Sequence, residues 1–102
     1  MRYRVTPDAT RDIEEILTYL ATESIDAARR FAMQCDETFA WLAQAPRAGR
    51  LWRGRAARTR DVRMWPVAGF PNHLIFYRPA RAGVVVLHVM SGARDLDRQL
   101  GA

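Results

Sequence analysis

Tyr3 and Val5 alternate with Arg2 and Arg4, the period-two pattern of a short strand with one buried face. Thr6-Pro7-Asp8 follows and starts a helix. Thr6 suits the cap, Pro7 the first helical position, where its missing N–H costs nothing, and Asp8 the positive end of the helix dipole. Ala9, Ile13, Ile16, Leu17 and Leu20 then recur at spacings of three and four, opposite Arg11, Asp12, Glu14 and Glu15. That stripe is expected to face the core and the charged side to face water. With full burial, Leu17→Ala should cost about 2–5 kcal/mol. Ser24 and Asp26 restart the pattern, which continues through Ala28, Phe31, Ala32, Cys35, Phe39 and Leu42 to Ala45-Pro46.

Residues 46–58 show no apolar period and read as a basic connection with Pro46, Gly49 and Gly54. Beyond them Val62 and Met64 alternate with Asp61, Arg63 and Trp65, and Pro66 should end that strand or place it at an edge. Gly69-Phe70-Pro71-Asn72 reads as a turn into the apolar run Leu74–Tyr77, and Pro79 to Gly83 reads as another turn. Val84 to Met90 is the most strand-like segment, and Arg94 to Ala102 is a last short helix or a tail. The order strand, helix, helix, strand, strand, strand predicts an α+β fold. In it a helical hairpin packs on one face of a mainly antiparallel sheet, leaving the other face for function.

A chain of 102 residues accommodates one domain, 1–102, with one core. No apolar run approaches 18 residues and no secretory leader is recognisable, so the cytoplasm is the expected compartment and no membrane association is expected. Cys35 is the only cysteine and His73 and His88 the only histidines, so no internal disulfide, metal site or cofactor is expected. All 16 basic residues are arginine, and they are unevenly spread. Residues 1–45 hold five against eight acids, net −3, and residues 46–102 hold eleven against three, net +8, giving the overall +5. The second half therefore invites an acidic partner: nucleic acid, an acidic protein surface or an acidic peptide.

Candidate contacts come from the same half. Arg47, Arg50, Arg53, Arg55, Arg58, Arg60 and Arg63 form either a binding surface or a solvated charge run, with Arg60 and Arg63 favoured because strands hold side chains better than loops do. Trp65, opposite Val62 and Met64, is expected at the surface, and Arg94-Asp95 reads either as a target contact or as an ion pair locking the chain end. His73 and His88 read as hydrogen-bonded structural residues, and Cys35 as an inert core thiol. The Tyr77 ring suits the core, and its hydroxyl could reach the functional face.

Three segments then resemble one family across nearly the whole chain. They are Ala9-x-x-Asp12-Ile13-x-x-Ile16-x-x-Tyr19-Leu20 with Ala27-Ala28-Arg29-Arg30-Phe31 and Leu42-Ala43-x-x-Pro46-x-x-Gly49; Gly69-Phe70-Pro71-x-x-Leu74-Ile75-Phe76-Tyr77-Arg78; and Val84-x-Val86-Leu87-x-Val89-Met90-Ser91-Gly92-Ala93-Arg94-Asp95-Leu96. Together they are similar to the ParE/RelE toxins of type II toxin-antitoxin systems, closer to the ParE branch. That resemblance implies a non-enzymatic toxin that inhibits DNA gyrase, and the readings above then make Arg60, Arg63, Trp65, Arg94 and Asp95 the candidate target contacts. It also implies a hetero-oligomer with a cognate, ParD-like antitoxin, for which grooves beside Phe31, Phe39 and Trp41 are candidate docking places. The RelE branch instead cleaves messenger RNA on the ribosome, which is the alternative activity. Arg94 matches that branch's arginine, whereas Leu100 replaces its late tyrosine and Leu74 an arginine; His88 and Ser91 replace the commoner arginine and histidine of the ParE pattern.

Overall fold

The computed structural model describes residues 2–52 and 61–92. Along the chain these form β1 (Arg2–Val5), α1 (Pro7–Glu23), α2 (Ile25–Gln44), β2 (Arg50–Leu51), β3 (Arg63–Val67), β4 (Phe70–Ala80) and β5 (Gly83–Ser91). The helix starts follow the capping chemistry. Thr6 Oγ1 accepts the Ala9 amide at 3.2 Å, and Ser24 Oγ accepts the Ala27 amide at 3.1 Å. Ser24 also gives its own N–H to Leu20 O, so one residue closes α1 and opens α2.

The five strands lie in the order β1-β5-β4-β3-β2. β1 runs parallel to β5, and the other pairings are antiparallel, so the chain end closest to the helices seals the far side of the last strand. This parallel pairing requires a close approach. A Cβ on Gly83 would lie 1.7 Å from Arg2 O, so only glycine fits there. β2, with two residues, is an addition to the sequence-derived order.

Two turns also differ from expectation. Phe70-Pro71-Asn72 and Pro79 belong to β4, and the reversals are Ala68-Gly69 and Arg81-Ala82. The ladder makes room for both prolines. Pro71 falls where the β3–β4 register shifts and before β4 first pairs with β5 at His73, and Pro79 lies beyond Tyr77, the last β4 residue with a β3 partner. No ladder bond on those sides requires the N–H that proline lacks. Pro66 likewise occupies the part of β3 that has no β2 neighbour.

Both helices pack on one face of the sheet. Phe31, Cys35, Phe39 and Leu42 of α2 meet Val67, Ile75, Tyr77, Val84, Val86 and Val89 in the main core. α1 sits more peripherally. Ala9 is buried, but Ile13, Ile16, Leu17 and Leu20 are only half-buried, which lowers the expected cost of Leu17→Ala below the full-burial figure. On the opposite face Val62 and Phe76 are buried with Trp52, Met64, Leu74, Leu87 and Met90 packed around them.

Candidate functional site

The two layers carry opposite charge. The described strands contain Arg2, Arg4, Arg50, Arg63 and Arg78 and no acidic residue, a net of +5. The helices contain Asp8, Asp12, Glu14, Glu15, Glu23, Asp26, Asp36 and Glu37 against Arg11, Arg29 and Arg30, a net of −5. The division by layer is sharper than the division by sequence halves, because β1 brings two arginines from the acidic half into the sheet.

Register places those two on the face away from the helices. Tyr3 packs its ring edge-on against Phe39 of α2, so its neighbours Arg2 and Arg4 point to the open face. Arg4 aligns with Val85, which aligns with Arg78, giving a row across three strands. Arg2 and Arg4 are exposed and border a shallow depression of about 380 Å³ with Ala80 and Val85. Beside this basic end lies the apolar group of Met64, Leu74, Leu87 and Met90. An apolar centre with an arginine margin is the composition of a protein-binding surface. Sequence reasoning noted the alternation of Arg2 and Arg4 but did not count them as contacts; the signal was that both occupy one face of a strand.

Arg63 pairs with Tyr77 and so lies on the helix side of β3, not on the open face. Its Nη1 donates to Gly49 O at 2.8 Å and to Arg47 O at 3.3 Å, so it clamps the loop leaving α2. The same loop is held from below by Tyr77. The buried hydroxyl accepts the Gly49 amide at 2.8 Å and donates to Pro46 O at 2.9 Å, so it is turned towards the loop and away from the open face. Burial raises the Tyr77 pKa, opposed by the Gly49 amide and the Arg63 charge.

Trp65 does lie opposite Met64, but that is the helix side. It packs against the main core and stacks on Trp41, with ring centres 5.0 Å apart and planes 27° apart, correcting the expectation of a free surface residue. Phe31 and Phe39 are 0% and 1% exposed, so neither offers its ring to a partner, whereas Trp41 is 48% exposed. The helical period puts the two phenylalanines inward and Trp41 outward on the same helix. Arg60, Arg94 and Asp95, together with Arg53, Arg55 and Arg58, lie outside the described residues.

Asp12 is the residue the helical pattern misread. Instead of facing water, it reaches the edge of β5 beyond the end of β1, where its Oδ2 accepts the Val89 amide at 3.0 Å and meets His88 Nδ1 at 2.9 Å. Thr6 Oγ1 donates to Leu87 O at the same edge. Side chains of the α1 start thus serve the β5 edge where β1, among the described residues, no longer pairs with it. His88 is thus hydrogen-bonded as expected, to a carboxylate 76 positions away. His73 is the converse: it lies among Phe31 and Phe70, its Nδ1 is buried without a hydrogen bond, and burial lowers its pKa. Cys35 is buried, and burial, with Asp36 adding to it, pushes its thiol up to about 12. No group of three or more metal-ligating side chains occurs among the described residues. No described helix is long and apolar enough to cross a membrane.

A search of curated proteins finds no match. A chain from the chromosomal ParDE TA system of P. aeruginosa shares the fold, with a TM-score of 0.68 and 18% identity over 91% of this chain and 97% of that one. The family model of the ParE toxin of the type II toxin-antitoxin system, parDE, matches residues 3–96. With residues 3–96 of the 102 matched by the family model, the chain belongs to the ParE toxin family.

Proposed function

We propose that this ParE toxin acts by binding DNA gyrase through the basic open face of its sheet, and that a cognate antitoxin neutralises it. The observation that carries the reading is the charge partition: strand arginines without an acid, four of which, Arg2, Arg4, Arg50 and Arg78, share the open face with an apolar cluster. Such a face attracts an acidic protein surface and holds it through apolar contact. Arg2 and Arg4 join Arg60, Arg94 and Asp95 as candidate target contacts, while Arg63 and Trp65 contribute chiefly by shaping the sheet margin and the α2 exit. For the antitoxin, Trp41 is the exposed member of the three helix positions.

Less supports RNA cleavage of the RelE type. Leu100 stands in place of the expected tyrosine, and the Tyr77 hydroxyl is enclosed by Gly49 and Pro46. The test is a supercoiling and DNA-cleavage assay with purified gyrase, titrated with the toxin freed from its antitoxin. Loss of supercoiling with accumulation of cleaved DNA is expected. An unaffected gyrase together with codon-linked cuts in translated messenger RNA would replace this reading with the ribonuclease.

A further inference from the structure

The stacked tryptophans form the wall of a groove on the acidic side of the molecule, away from the basic face. Gln34, Glu37, Thr38, Trp41, Trp65 and Ala68 line it, enclosing about 360 Å³. Its floor is fixed: Thr38 Oγ1 donates to Gln34 O at 2.6 Å and accepts the Ala68 amide at 3.2 Å, tying α2 to the β3–β4 turn. Its rim is open. Trp41 is 48% exposed, and Met33, two helical turns earlier on the same side of α2, is 61% exposed. Aromatic area of this size at the surface of a small domain is costly to leave in water and is characteristic of binding anchors.

The charge around the groove selects the occupant. Among the described residues, Glu37 is the only ionisable one that lines it, no cation does, and Glu37 makes no ion pair or hydrogen bond. The helical layer behind it carries the net charge of −5 derived above. An indole wall beside a carboxylate is the environment that holds a guanidinium or ammonium, by stacking on the ring and by Coulomb attraction. A phosphate or a carboxylate would meet repulsion at the same place.

We infer that this groove is a second docking site, taking an arginine or lysine side chain from an extended segment of a partner protein, with a neighbouring apolar residue of that segment resting on Met33. The site does not depend on the gyrase reading, since it occupies the opposite layer and involves none of the open-face arginines; it rests on the reading that a protein partner docks beside Trp41.

Titration of the full-length, isotope-labelled protein with a blocked peptide, acetyl-Leu-Ala-Arg-Ala-Leu-amide, followed through the three indole N–H resonances, tests this. The Trp41 and Trp65 signals should shift saturably and Trp52 should remain still. Citrulline in place of arginine, which removes the charge and keeps the shape, should weaken binding about tenfold or more, as should Glu37→Gln, a surface change whose unchanged Trp52 resonance reports an intact fold. Raising the salt concentration should weaken the arginine peptide further. Equal binding of the citrulline peptide, no shift of Trp41 and Trp65 at millimolar peptide, or shifts that follow protein concentration alone and coincide with dimerisation in sedimentation would each overturn the proposal.

Discussion

Tyr77→Phe removes a single oxygen from the centre of the fold, and its cost can be worked from the contacts that oxygen makes. Tyr77 is 0% exposed, so water cannot replace what is lost. The hydroxyl satisfies both the Gly49 N–H, at 2.8 Å, and the Pro46 carbonyl, at 2.9 Å. A hydrogen bond contributes about 1 kcal/mol net, while a buried group left without its partner costs about 1–3 kcal/mol. The Gly49 amide is the sharper loss because it is a buried donor. A Cβ at that residue would still meet the Tyr77 ring at Cε1 and Met64 O, each at 2.8 Å, so the ring and the β3 backbone pack closely on Gly49. The expected destabilisation is therefore about 2–4 kcal/mol. Because Arg63 holds the carbonyl side of the same loop, the Pro46–Gly49 segment should loosen without being released entirely. Urea denaturation, with an unchanged m value to exclude a change in the unfolded state, measures it. A loss below about 1 kcal/mol would refute the reasoning and mean that the loop relaxes onto solvent.

Asp12→Ala should cost about 2–4 kcal/mol, since it strips the acceptor from the Val89 amide and the partner from His88, and should expose the β5 edge to association visible in light scattering. Burial lowers the His73 pKa below its ordinary 6.5, so the unfolded chain takes up the proton first. The contribution of this group is complete above about pH 6.5 and is lost as pH falls below that value towards the folded pKa, so His73→Phe should flatten the acid limb of the stability curve. Gly83→Ala should detach β1, seen as loss of amide-exchange protection at Arg2–Val5. Cys35, with a thiol pushed to about 12 and held in the core, should resist thiol reagents until the protein unfolds.

The helices were legible because their information is local. Thr6, Pro7, Ser24 and the inward Phe31–Cys35–Phe39–Leu42 series announce caps and a buried stripe within a few residues of each other. What sequence could not reveal was set by strand neighbours. Pro71 and Pro79 look like turn residues until the ladder shows that neither has a partner on the side where an N–H would be needed. Asp12 looks like a solvated helix residue until β1 is seen to stop short along β5, leaving an amide for it to cover. Trp65 was assigned correctly to the face opposite Met64, but only the packing of α2 shows that this face is covered. The basic surface was half visible: the arginine excess after residue 45 was plain, whereas the contribution of Arg2 and Arg4 depends on a parallel pairing between the two ends of the described chain.

Arg2 and Arg4 therefore offer the most direct test of how this toxin meets its target. Purified gyrase would be titrated with the wild-type toxin and with an Arg2→Ala/Arg4→Ala variant whose unfolding transition matches the wild type, reading the concentration that halves supercoiling. Wild type should inhibit and leave cleaved DNA, and the variant should need at least about tenfold more protein, as expected for the loss of two charge-assisted contacts. Equal potency of the two proteins would remove the open basic face from the mechanism, and a folded wild type that leaves gyrase untouched would contradict gyrase as the target.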